Sequence, residues 1–144
     1  MIISQFSTGF STVSIVVTNE IICSASHSTE FSTEFDIDKI TEWMKFACDC
    51  VGFAGFDRQI AVFWSKLFTR TIGVADWGLR VIRLSVSLWK QMTTEQRRET
   101  IIHEVCHILC GNILCSVEKE SHGPNWQAFM RKCGLKPSRT IMVG

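Results

Sequence analysis

The stretch IIHEVCHILCG, residues 101–111, places two histidines four positions apart within an apolar run. On an α-helix, residues at that spacing share one face, with Cβ atoms about 5–6 Å apart. Two imidazoles so placed can converge on one metal ion at the ~2.0–2.1 Å that a ring nitrogen takes to zinc. Glu104 follows His103 and is turned about 100° around the axis, so it flanks the pair without joining it. From there a carboxylate reaches a water on the same metal, whose pKa falls to about 7. Ile101, Ile102, Val105, Ile108 and Leu109 form the expected core side of this helix. Thr100, His103, Glu104 and His107 form its polar stripe. The pattern is H-E-x-x-H. It arises by chance in roughly one chain of this length in a few hundred, so its weight depends on a further ligand.

An open site of this kind takes three protein ligands and leaves the fourth position free. His122 is one candidate, in a loop just ahead of a helix, where it is free to fold back. Cys110 is a second; it lies one turn along the same stripe and would have to reach back a full turn. Glu118 and Glu120 are a third option. Cys106 points to the core side. Cys48 and Cys50 form C-x-C with no second thiol pair at zinc-ribbon spacing, so they read as packing residues. His27 sits among small polar residues and reads as a solvated bystander.

The rest of the chain indicates what carries the helix. Its 144 residues suit one domain. An apolar content of 46% supports a core and argues against wholesale disorder. Seven cysteines, without C-x-x-C, fit reduced thiols better than a secreted disulfide framework. The N-terminus lacks a basic region, and no apolar run reaches membrane-spanning length. A cytoplasmic protein without a membrane span is therefore expected.

Every Lys and Arg lies at or after Lys39, whereas Glu20, Glu30, Glu34, Asp36 and Asp38 precede it. Residues 1–34, Ser/Thr-rich and acidic, are set apart as an N-terminal extension. It is either disordered or folded into a short hairpin of Val13 to Val17 with Ile21-Ile22. Residues 35–144 form the domain.

Asp36 is placed as an N-cap for a helix with the apolar stripe Ile37, Ile40, Trp43, Met44, Ala47 and Val51, ending at Gly52 or Gly55. Three strands follow, around Ile60 to Phe63, Ile72 to Trp77 and Val81 to Val86, with a turn at Gly78. Thr93 and Gln96 form a capping box for the H-E-x-x-H helix, which ends near Gly111 or Asn112. Pro124 opens a last helix with apolar face Trp126, Phe129, Met130 and Cys133, ending at Gly134. The expected fold class is α+β: a small mixed or antiparallel three-stranded sheet packed with three or more helices.

Taken together, HEVCHIL, HGPNWQAFM and the tail GLKPSRT resemble the SprT-like metalloprotease domains, the family of bacterial SprT and the protease domain of Spartan. RTIGVADW and VIRLSVSLW resemble the strands ahead of that family's active-site helix, and the likeness spans roughly residues 36–144. It implies a zincin-like core, one Zn2+ held by His103, His107 and His122, and Glu104 as general acid/base. It also implies peptide substrate added as a strand at the sheet edge, placed here at Gly73, Val74, Ala75, Asp76 and Trp77. Action on DNA-bound or DNA-crosslinked protein, with DNA as a partner, follows from the same likeness. A C-terminal zinc ribbon, carried by many members, has no cysteines for it after Cys133. The chain also has no tyrosine to serve as an oxyanion donor. Two other readings stand beside the peptidase: a zinc-binding, DNA-associated adaptor without proteolysis, and a helical protein whose histidines bind no metal.

Overall fold

Residues 2–8, 11–17, 35–113 and 121–138 are described by the structure, a computed structural model. The apolar stripe starting at Ile37 forms helix α1 (Ile37–Val51). Ile37, Ile40, Trp43, Met44, Ala47, Cys48 and Val51 are buried along it. Asp36 precedes α1 but does not cap it: its backbone is left-handed and its side chain caps nothing. The carboxylate instead accepts from Arg97 Nη1 at 2.9 Å, joining the start of α1 to a distant helix.

The three expected strands are β3 (Ala61–Ser65), β4 (Gly73–Asp76) and β5 (Val81–Ser85). β5 stops one residue short of expectation because Ser85 turns the chain into helix α2 (Val86–Gln91). Its hydroxyl accepts from Leu88 N–H at 3.2 Å and donates to the Phe68 carbonyl at 2.6 Å. A short apolar helix following a strand without a Gly or Pro break has the same letters as a longer strand.

Two strands from within residues 1–34 extend the sheet. β1 (Ile2–Thr8) and β2 (Ser11–Val17) pair antiparallel, Thr8 opposite Ser11. The hairpin thus joins 2–8 to 11–17; Ile21-Ile22, expected opposite Val13–Val17, lies outside the described residues. The order is β1-β2-β3-β5-β4. β2–β3 and β3–β5 are parallel, while β4–β5 is antiparallel. A parallel neighbour requires a crossover, and α1 lies in the segment between β2 and β3. Because β5 takes the place beside β3, β4 is left at the edge of the sheet.

Thr93 and Gln96 do form the capping box: Gln96 N–H donates to Thr93 Oγ1 at 3.1 Å, and Thr93 N–H to Gln96 Oε1 at 2.9 Å. They open α3 (Thr94–Ile113). This helix packs against α1, β4, β5 and the last helix, α4 (Pro124–Lys132). Its expected polar stripe is therefore not solvent-facing, and Thr100, His103 and Glu104 are buried with the isoleucines. The core continues through Trp64, which meets Phe35 and Trp89 edge-on at 5.0 and 5.3 Å.

Candidate metal centre

His103 and His107 stand one turn apart on α3. His122 comes to them from the loop before α4. That loop is fixed by Pro124 in the first turn of α4 and by Gln127 Nε2, which donates to the His122 carbonyl at 3.0 Å. The three Nε2 atoms form a triangle with all three sides 3.2 Å. Nitrogens at ~2.0–2.1 Å from a tetrahedral metal would be spaced by about 3.3–3.4 Å. The triangle is therefore close to one face of such a tetrahedron. Three ring nitrogens aimed at one point cannot satisfy each other as hydrogen-bond partners, because each has a single in-plane lone pair or proton. A cation at that point resolves the convergence.

Among the described residues no fourth His, Cys, Asp or Glu joins the cluster. Of the candidate third ligands, the structure brings in His122 and leaves Cys110 outside; Glu118 and Glu120 lie outside the described residues, as does His27. None of the five described cysteines forms a disulfide, and Cys48, Cys106 and Cys133 are buried.

The site is dry. His103 and Glu104 are each 7% exposed. Burial, reinforced by the neighbouring imidazoles, pushes the His103 pKa down to about 3. Burial and His122 lower that of His107 to about 4. Both rings are thus neutral near pH 7, with a lone pair for a metal. Glu104 Oε1 lies 4.0 Å from His103 Nε2. Burial pushes its pKa up to about 8.

The histidines rest on Trp126, which has ring centroids 4.8, 5.3 and 4.7 Å from His103, His107 and His122. Its Nε1 donates to the His103 carbonyl at 3.2 Å. Ser121 serves two ligands: its hydroxyl lies 3.3 Å from His122 Nδ1, and its backbone favours the protonated His107 ring. The sequence placed Trp126 on the apolar face of the last helix and within the HGPNW stretch that carries the resemblance, and assigned Ser121 nothing. The sole signal was position, one residue before and four after His122.

β4 runs beside α3 in the same direction. A Cβ on Gly73 would lie 3.4 Å from Glu104 Cγ and Oε1, so the missing side chain leaves the carboxylate its room. At the other end, Trp77 covers Gly111, where a Cβ would fall inside the indole side chain. Asn112 Nδ2 donates to the Trp77 carbonyl at 2.6 Å. Gly73 thus lies at Glu104, and Trp77 lies at Gly111 and Asn112, on either side of the histidine-bearing stretch of α3.

A family model, SprT-like, matches residues 41–142, which include every residue of this cluster. The chain belongs to the SprT-like family. The zincin-like α+β fold of that family agrees with the described architecture, its strands preceding the histidine-bearing helix. The SprT-like match begins inside α1 and so leaves β1 and β2 outside it. No solved structure matches the chain. No described helix is long and apolar enough to cross a membrane.

Proposed function

We propose that this chain is a zinc-dependent endopeptidase with His103, His107 and His122 as its metal ligands and Glu104 as general acid/base. The observation that carries the reading is the 3.2 Å triangle of ring nitrogens with a buried carboxylate 4.0 Å from one corner. A purely structural zinc site closes with four protein ligands, whereas a catalytic one keeps a position for water or substrate. When bound, zinc supplies Lewis acidity to the scissile carbonyl and to the attacking water.

Glu104 then handles the protons. One carboxylate oxygen takes the proton from the water and returns it to the leaving nitrogen as the peptide bond breaks. A group whose burial favours the protonated form is suited to hold that proton between the two steps, and a dication nearby offsets the shift in the ionised half of the cycle. The outer edge of β4 is suited to an extended peptide bound as an added strand, with backbone hydrogen bonds giving register. Gly73, Val74, Ala75, Asp76 and Trp77 are the residues of that edge, running from Glu104 to the end of α3.

Elemental analysis and zinc titration test the ligand set. One zinc per chain is expected, and His122→Ala should lose it while keeping the fold. Full zinc affinity in His122→Ala would show that the third ligand is another residue.

A further inference from the structure

An imidazole that turns Nε2 to a metal carries its proton on Nδ1, and an acceptor for that proton fixes the ring. Ser121 meets this need for His107 and His122. His103 differs: its Nδ1 is buried and has no partner at hydrogen-bonding geometry. A buried donor left unpaired loses its hydration without compensation. The ring borders a cavity of about 170 Å3 lined by Glu99, His103, Met130, Leu135, Lys136 and Ser138. Three of these belong to the segment that leaves α4.

That segment is shaped to return toward α3. Gly134 takes a left-handed φ of 79°, and Leu135 N–H reaches back to the Met130 carbonyl at 3.0 Å, reversing the chain at the helix end. Leu135 packs against the core. Pro137 restricts Lys136 to extended backbone. The outcome is Ser138 beside the same cavity as His103.

We propose that Leu135–Ser138 is a strap that completes the metal site from behind, with the Ser138 backbone carbonyl as the acceptor that orients His103 through Nδ1–H. Ser138 is then a positioning residue, and its part in the site rests on the zinc reading above. The Glu99 carboxylate, one turn before His103, is the competing acceptor in the cavity. A peptide carbonyl can meet a buried ring N–H without the desolvation cost that an ionised carboxylate carries, and Glu99 is only half-buried. A backbone acceptor also explains why no side chain in the tail announces the role.

Cys133 allows the test on the full chain. Residues 1–132 are ligated to a synthetic 133–144 peptide in which the α-hydroxy analogue of Arg139 turns the 138–139 amide into an ester. The Ser138 carbonyl becomes a weaker acceptor, and no side chain changes. A second chain, with the ester moved to 139–140, controls for the ester itself. Zinc affinity is read by chelator competition, and the His103 Nδ1–H resonance by NMR of the zinc-loaded chain.

Affinity is expected to fall about tenfold for the 138–139 ester, with the resonance moving upfield and exchanging faster, while the 139–140 ester matches the all-amide chain. Equal affinity and an unmoved resonance in the 138–139 ester would overturn the strap. A loss in Glu99→Gln without one in the ester would overturn it in favour of Glu99. Failure of the all-amide chain to bind zinc would refute the metal reading, and the strap with it.

Discussion

Glu104 is held at a cost to the metal-free protein. Its pKa is about 8 in the fold and 4.5 in an open chain. Between those values the folded chain keeps a proton that the unfolded chain has released, so stability falls as pH rises from about 4.5 to 8. His103 and His107 act in the opposite sense, with folded pKa values of about 3 and 4 against 6.5. Their contribution is lost as pH falls below about 6.5 toward those values. Glu104→Gln removes the first cost. Calorimetry of the metal-free variant should show stabilisation of roughly 1–3 kcal/mol at pH 7, shrinking to nothing below about pH 4.5. A variant no more stable at pH 7 would contradict the buried, protonated carboxylate. Gly73→Ala sets a Cβ against Glu104 and 3.2 Å from Leu84 Cδ2. It should lower kcat by about tenfold, the effect of a slightly misplaced general base, and leave zinc content intact. Of these residues, His103, Glu104 and His107 were legible in the sequence because helical spacing alone brings them together. Ser121, Trp126 and Ser138 were not, because a lone hydroxyl, a ring face or a backbone carbonyl leaves no spacing pattern.

The packing of β4 along α3 sets an edge strand beside the helix that carries His103, Glu104 and His107. Both ends of the strand touch the helix: Gly73 lies at Glu104, and Trp77 lies over Gly111 with its carbonyl on Asn112. Trp77 is nonetheless 57% exposed, and Val74 and Leu79 are also exposed. Gly111→Ala must push the indole away and, with it, the end of the edge strand. Overpacking of this kind costs about 1–3 kcal/mol. Hydrogen exchange should speed up for the β4 amides, and KM for a peptide should rise more than kcat falls. Unchanged β4 exchange would show that the clasp does not hold the strand. The capping box at Thr93 was readable because capping is local. The different role of Asp36 was not, since its partner Arg97 is 61 residues away. α2 escaped notice because VSLWKQ has no pattern that separates a short buried helix from a strand.

At the scale of the molecule, Arg97 ties three elements together. Its Nε and Nη2 donate to the Trp89 carbonyl at 3.0 and 2.8 Å, and its Nη1 to Asp36 at 2.9 Å. Trp89 Nε1 in turn donates to the Phe35 carbonyl at 3.0 Å. Arg97→Met strips the Asp36 carboxylate of its nearest cation and should cost roughly 3–5 kcal/mol in chemical denaturation. A loss under ~1 kcal/mol would mean that Lys39, 3.8 Å from Asp36, carries the pair alone. The expected α+β class and the strands β3, β4 and β5 were legible from alternation and turn residues. The pairing of β2 with β3 was not, because a parallel partner 47 residues away (Ile15 beside Val62) leaves no local trace. The central claim is tested most directly by cleavage of an unfolded protein at equal zinc occupancy, comparing the natural chain with Glu104→Gln. The account predicts cleavage by the natural chain and a loss of at least about a hundredfold in the variant. Equal rates, or no cleavage by the zinc-loaded natural chain, would contradict it.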